Sequence, residues 1–227
     1  MELHIIRHTQ TSASPGTCYG HTDPELPENH LQDFYRVFAE LNVRCPDPGS
    51  IYSSPSIRCQ SLAQFLLDEY QKSRAAIVTE ASTGNNESDI YGITGSDHSI
   101  RALHSPAKLE LRSSLMELNF GEWEGQNYNK IPQQELKAWM DDFVHRAPPG
   151  GESYFQLHER TRTFFEQFKQ ETLERSKVDQ KPSIIVTHGG VIRCFLEILL
   201  ETSLEKAFYL QVPYGSIFSF RLPDREQ

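Results

Sequence analysis

Cysteine is scarce: Cys18, Cys45, Cys59 and Cys194 are the only four in 227 residues, and none forms a C-x-x-C pair. That scatter argues against a disulfide framework and fits free thiols in a reducing compartment. Close histidine pairs are few too. Outside the first strand, where His4 and His8 are four apart, His21, His30, His98, His104, His145 and His158 show no H-x₃-H spacing, so neither a metal site nor a metal cofactor is expected. No apolar run approaches membrane-spanning length. Only a few apolar residues precede Arg7, too few for the core of a signal peptide, so a soluble cytoplasmic protein is expected. Bases are outnumbered by acids, 22 to 31, for a formal net charge of −9. Such a chain repels a nucleic-acid backbone, yet a local cluster of arginines can still draw a small anion into one pocket.

What is present is a patterned core. Leu3, Ile5 and Ile6 form a strand candidate that stops at Arg7. Helical stripes follow at Leu31, Phe34, Tyr35, Phe38 and Leu41, and at Leu62, Ala63, Leu66, Leu67 and Tyr70. Two more occur at Leu136, Trp139, Met140 and Phe143, and at Leu157, Thr161, Phe164, Phe165 and Phe168. Between the first two stripes, Ile51-Tyr52 leads into the turn-rich Ser53-Ser54-Pro55. The β-branched run 183–187 predicts a buried strand, Val191 to Leu200 a helix buried all round, and 216–220 a strand that closes the sheet. Alternating strands and helices predict an α/β fold with a largely parallel sheet. With no internal repeat and no long linker, 1–227 reads as one domain. Its exception is a polar stretch at about 81–107, rich in Gly, Ser, Asn and Asp, expected to be either a lid or, more commonly for such loops, a surface excursion.

Two strand candidates end alike, in Arg7-His8-Thr9 and in Thr187-His188-Gly189-Gly190. Ligand crevices of open α/β sheets lie outside the carboxyl ends of the strands, so neighbouring strands would project His8 and His188 into one crevice. Gly189-Gly190 would open a helix whose free N–H groups form an anion-friendly floor. A neutral imidazole can attack phosphorus and carry the phosphoryl group, and Arg7 and Arg58 are candidates to neutralise its oxygens. Taken alone, Arg58 reads as a solvated residue near a helix start. A leaving alkoxide needs a proton donor, for which Glu117, Glu122 and Glu124 compete without a local pattern to choose among them. Tyr19, Gly20 and Thr22, in a loop after His8, are weaker candidates for shaping the substrate entrance.

Four blocks then occur in order: Arg7-His8-Thr9, Tyr52-Ser53-Ser54-Pro55-Ser56-Ile57-Arg58-Cys59, the Glu117–Gly125 segment and Thr187-His188-Gly189-Gly190. Together they resemble the signatures of the histidine phosphatase superfamily, the phosphoglycerate mutase-like group. The resemblance implies a three-layer α/β/α sandwich, His8 as nucleophile, Glu117 as proton donor, a phosphate pocket of Arg7, Arg58 and His188, and no metal. Within the superfamily, residues 15–23, 148–153 and 187–193 resemble the alpha-ribazole phosphatase group, which implies removal of the 5′-phosphate of alpha-ribazole phosphate in cobalamin nucleotide-loop assembly. Thr9 stands where Gly is usual, a feature of that group, and Ser14 where many relatives carry Asn. Alternatives are a phosphatase of a sugar phosphate, a nucleotide or a broad range of small phosphorylated metabolites, a phosphoglycerate mutase, and a catalytically silent scaffold for a phosphorylated partner. Nothing in the sequence speaks to oligomeric state.

Overall fold

The period-2 pattern of the strand candidates becomes the two faces of a sheet. The computed structural model describes residues 2–83, 107–176 and 181–222. The strands are β1 (Glu2–Arg7), β2 (Ser50–Ser53), β3 (Lys108–Leu111), β4 (Ser183–Thr187) and β5 (Ile217–Arg221). They form one five-stranded sheet in the order β3-β2-β4-β1-β5. The β3·β2, β2·β4 and β4·β1 pairs are parallel, and β5 closes the edge antiparallel to β1.

Leu3, Ile5, Tyr52 and Ile185 point to one face, where they pack with Leu157, Phe164, Phe168 and Phe195. Those partners come from α4 (Tyr154–Ser176) and α5 (Gly189–Leu200). Ile6, Ile51, Ile184 and Val186 point to the other face, under α1 (His30–Arg44) and α2 (Ile57–Thr83). The result is the expected three-layer sandwich with a mostly parallel sheet. The central strand β4 is buried at all five residues, as its unbroken apolar run predicts.

Local details depart from the pattern. In α1 the buried stripe is Phe34, Val37 and Leu41, whereas Leu31 and Tyr35 are about half exposed. The α5 helix is buried along its first two turns, but Leu200 lies 58% exposed at its end. The stripe at Leu136–Phe143 forms α3 (Gln133–Asp141), which buries no residue fully and leans on an aromatic cluster of Phe120, Trp123 and Phe143 through Trp139. A last short helix, α6 (Leu204–Phe208), precedes β5. The polar stretch begins later than its composition suggested: residues 81–83 complete α2, and Ala107 is buried just before β3. The remainder, 84–106, lies outside the described residues. Among the described residues no helix is long and apolar enough to cross a membrane.

Candidate active site

Strand order decides which side chains meet. Because β1 and β4 are parallel neighbours with Arg7 opposite Thr187, the next residue of each strand, His8 and His188, emerges at the same sheet edge. Their ring centroids are 5.2 Å apart. The β2 strand flanks β4 on its other side, and the Ser54 N–H still bonds Val186 O at 3.0 Å, so the chain turns into α2 beside both histidines. That turn carries Arg58 into the first turn of α2.

His8 is 2% exposed. Its Nδ1 lies 2.7 Å from the carbonyl of Thr9. A carbonyl only accepts, so Nδ1 carries the proton and Nε2 keeps a free lone pair. Burial, and then the positive charges of Arg58 and Arg7, hold the His8 imidazolium form well below its ordinary range, against a smaller opposing effect of the Thr9 carbonyl. His188, fully buried, is held neutral in the same direction by burial, His8 and the arginines. Its Nε2 lies 2.8 Å from Ser54 Oγ, and Cys59 Sγ lies against the ring at 3.5 Å. Burial raises the Cys59 thiol, so it stays protonated there.

Arg58 is not a solvated helix residue. It is 0% exposed. Its Nη1 donates to Thr22 O and to Asp23 Oδ1, both at 2.8 Å, and its Nη2 donates to Gly20 O at 2.6 Å. Arg7 is half-buried, donates through Nη1 to Val212 O, and lies with its Cζ 3.9 Å from the centre of the Tyr214 ring. The Nε atoms of both arginines, and the hydroxyl of Thr9, are buried without a protein partner. Buried donors are rarely left unpaired, so three on residues beside or near His8 mark a place suited to an anion. Gly189 belongs to the same place: a Cβ there would lie 3.5 Å from Arg7 Cζ and Nε.

The three competing glutamates separate by position. Glu122 is exposed. Glu124 accepts backbone N–H bonds from Gly20, His21, Thr22 and Phe120, at 2.9–3.1 Å through its nearer oxygens. Burial would raise its carboxyl, but the four N–H donors outweigh that and leave it lowered, a carboxylate fixed as a clamp. Glu117 alone reaches the histidine edge: its Oε2 accepts the N–H of Gly190 at 3.1 Å and its Oε1 that of Leu118 at 3.0 Å. The helix start read as an open anion floor is therefore occupied in part by this side chain. A Cβ at Gly190 would lie 2.3 Å from Glu117 Oε1 and push that side chain from its place. The segment is braced from beneath by Arg160, which donates to Glu117 O at 2.8 Å and to Glu152 at 2.7 Å.

The entrance candidates act largely through their backbone. Gly20 and Thr22 offer carbonyls to Arg58 and N–H groups to Glu124, and a Cβ at Gly20 would collide with Leu118 O at 1.7 Å. Ser14 is exposed, and its carbonyl accepts the Thr17 N–H. Tyr19 instead contributes its side chain: its hydroxyl lies 2.9 Å from that of Tyr214 and accepts from Thr11 at 3.2 Å. Tyr214 was missed in the sequence. Its only cue is the turn-forming Pro213-Tyr214-Gly215 before β5, and its ring sits 5.5 Å from that of His8. Among the described residues no three His, Cys, Asp or Glu side chains gather as metal ligands. His30 caps the Pro27 carbonyl, and His158 pairs with Glu197.

A histidine pair at two parallel strand ends, two arginines and a carboxylate at the following helix define a phosphoryl-handling class. The profile of the histidine phosphatase superfamily (branch 1) matches residues 3–87 and 98–227, and the chain belongs to that superfamily. It is 24% identical over 222 residues to a 2,3-bisphosphoglycerate-dependent phosphoglycerate mutase of Chlamydia pneumoniae, covering 94% of this chain and 90% of that protein. A protein of the same name from Chlamydia trachomatis serovar L2b is 29% identical over 218 residues, with the same coverage. Among solved structures, the alpha-ribazole phosphatase from Shigella flexneri superposes with a TM-score of 0.71 at 20% identity, over 98% of this chain and 91% of that one. A mycobacterial glucosyl-3-phosphoglycerate phosphatase gives 0.70 at 22% identity, over 96% and 88%. At such identities the superpositions speak for the fold.

Proposed function

We propose that this protein is a metal-independent phosphomonoesterase working through a phosphorylated His8. The observation that carries the reading is a neutral, single-tautomer His8, its Nε2 free, beside two arginines with buried unpartnered Nε donors. In the first step the Nε2 lone pair forms a P–N bond as the P–O bond to the leaving group breaks, and the Glu117 carboxyl gives its proton to the departing oxygen. In the second, water attacks phosphorus, Glu117 takes the proton of that water, and the P–N bond breaks to free phosphate and neutral His8. Arg7 and Arg58 neutralise the phosphoryl oxygens, neutral His188 offers them an N–H hydrogen bond, and Gly189 lies beside Arg7.

The substrate would be a small phosphorylated metabolite in the cytoplasm, with alpha-ribazole 5′-phosphate the preferred candidate. Residues 15–23, 148–153 and 187–193 support that preference, as does the Shigella flexneri enzyme that this fold resembles. A second reading, phosphoglycerate mutase, is favoured by the names of the curated relatives. The experiment is turnover of p-nitrophenyl phosphate, alpha-ribazole 5′-phosphate and 3-phosphoglycerate in excess chelator, by wild type and His8→Ala. We expect hydrolysis with a preference for alpha-ribazole phosphate, and its loss by roughly 10⁴-fold in His8→Ala. Phosphoglycerate interconversion outpacing hydrolysis would favour the mutase. Activity that survives His8→Ala, or that chelator abolishes, would overturn the chemistry.

A further inference from the structure

Tyr214 lies outside all four motif blocks, yet its ring meets both Arg7 and His8. The segment before β5 grips the end of β1 at three successive levels. Val212 O accepts from Arg7 Nη1, the Tyr214 ring covers the Arg7 guanidinium at 3.9 Å, and the Gly215 N–H bonds the carbonyls of Arg7 and His8 at 3.2 and 3.1 Å. The same ring meets the His8 imidazole at 5.5 Å with a 53° tilt. A guanidinium held at one nitrogen by a carbonyl and on one face by a ring has its plane fixed. Its Nε, buried and unpartnered, is then presented in one direction. The hydroxyl of Tyr214 touches neither group; it is bonded to the Tyr19 hydroxyl at 2.9 Å.

We propose that Tyr214 is a positioning residue for phosphoryl transfer, its ring fixing the plane of Arg7 and the orientation of His8, with the hydroxyl dispensable for that role. This rests on the phosphohistidine reading above. A tyrosine that merely filled space would affect stability and leave the chemical step alone. An aromatic ring that aims the arginine would affect the step and the binding of a pentavalent phosphoryl mimic together, and phenylalanine would substitute for it.

The test compares Tyr214→Phe and Tyr214→Leu with wild type in kcat and KM for p-nitrophenyl phosphate, in melting temperature, and in calorimetric affinity for orthovanadate. Tyr214→Phe is expected to keep kcat and orthovanadate affinity within about twofold, whereas Tyr214→Leu loses about tenfold in both with KM little changed. Wild-type kcat and affinity in Tyr214→Leu, or a Tyr214→Phe variant that falls as far, would overturn the proposal. Tyr214 is 38% exposed, so truncation opens no core cavity, and should Leu unfold the chain, Tyr214→Gln is read by the same criteria. Calorimetry also separates the two ideas. If wild type turns over no phosphomonoester, the phosphohistidine reading fails, while the orthovanadate affinities still report whether the ring aims Arg7.

Discussion

The two arginines of the pocket are held by opposite means. On the β2 side, Arg58 is sealed from solvent and spends its three Nη contacts on the carbonyls of Gly20 and Thr22 and on Asp23. On the β1 side, Arg7 is only half-buried, with one carbonyl and one aromatic face. Arg58 thus doubles as the peg on which the entrance loop hangs, and Glu124 clamps that same loop from the other direction. Arg7 makes one such tie, to Val212 O in the segment before β5. The difference teaches that one pocket can contain a cation the fold depends on and a cation chiefly the chemistry depends on.

Substitution separates the two most sharply. Arg58→Met and Arg7→Met should both depress kcat/KM by about 10²–10³-fold, as removal of an electrostatic donor does. In denaturant unfolding, however, Arg58→Met should cost about 3–5 kcal/mol, because it strands Asp23 and two loop carbonyls, whereas Arg7→Met should cost about 1 kcal/mol. Equal stability losses would erase the distinction.

The two glutamates of the Glu117–Gly125 segment extend the contrast. Glu117→Gln should slow release of an alkyl leaving group by about 10²–10⁴-fold and leave stability nearly intact, with a much smaller loss on p-nitrophenyl phosphate, whose phenolate departs without a proton. Glu124→Ala should do the reverse, lowering unfolding free energy by about 2–3 kcal/mol through the loss of charged hydrogen bonds to four backbone N–H groups. An unaltered melting curve for Glu124→Ala would mean that Arg58 alone holds the loop.

The last contrast is one of pH. His8 and His188 are both kept neutral well below their ordinary value of 6.5, chiefly by burial. Below that value the unfolded chain takes up protons that the folded chain refuses. Their contribution to stability is therefore complete above about pH 6.5 and declines as pH falls, by about 1.4 kcal/mol per pH unit for each histidine until its folded-state value is reached. His8 also stays nucleophilic through that window, so kcat should show no loss from His8 protonation between pH 7.5 and 6.5. Unfolding curves at pH 7.5 and 5.5, compared with those of His188→Asn, measure the first effect, and a pH–rate profile measures the second.

Much of this arrangement was readable before any coordinates. The apolar runs ending at Arg7 and Thr187 read as strands because a buried parallel strand needs apolar residues on both faces, and few segments here have them; that they are neighbours came from the pairing. The edge strand β3 escaped notice because it has only four residues, Lys108 to Leu111, exposed at both ends and half-buried between, with none in the core. Arg58 looked solvated because burial of an arginine depends on acceptors 35–38 positions away, which local pattern cannot show. Tyr214 escaped because its role is made entirely by contacts with residues near the other end of the chain.

By itself, then, the sequence determined four of the five strands, the main helical stripes and the identity of the residues at the strand ends, since period and residue chemistry are local properties. Only the tertiary structure decided which of three glutamates reaches the α5 N-terminus, that the Gly190 N–H is given to that carboxylate, which nitrogen of His8 is free, and how each arginine is held. Each of those depends on the distance between groups far apart in the chain, and that distance is set by packing.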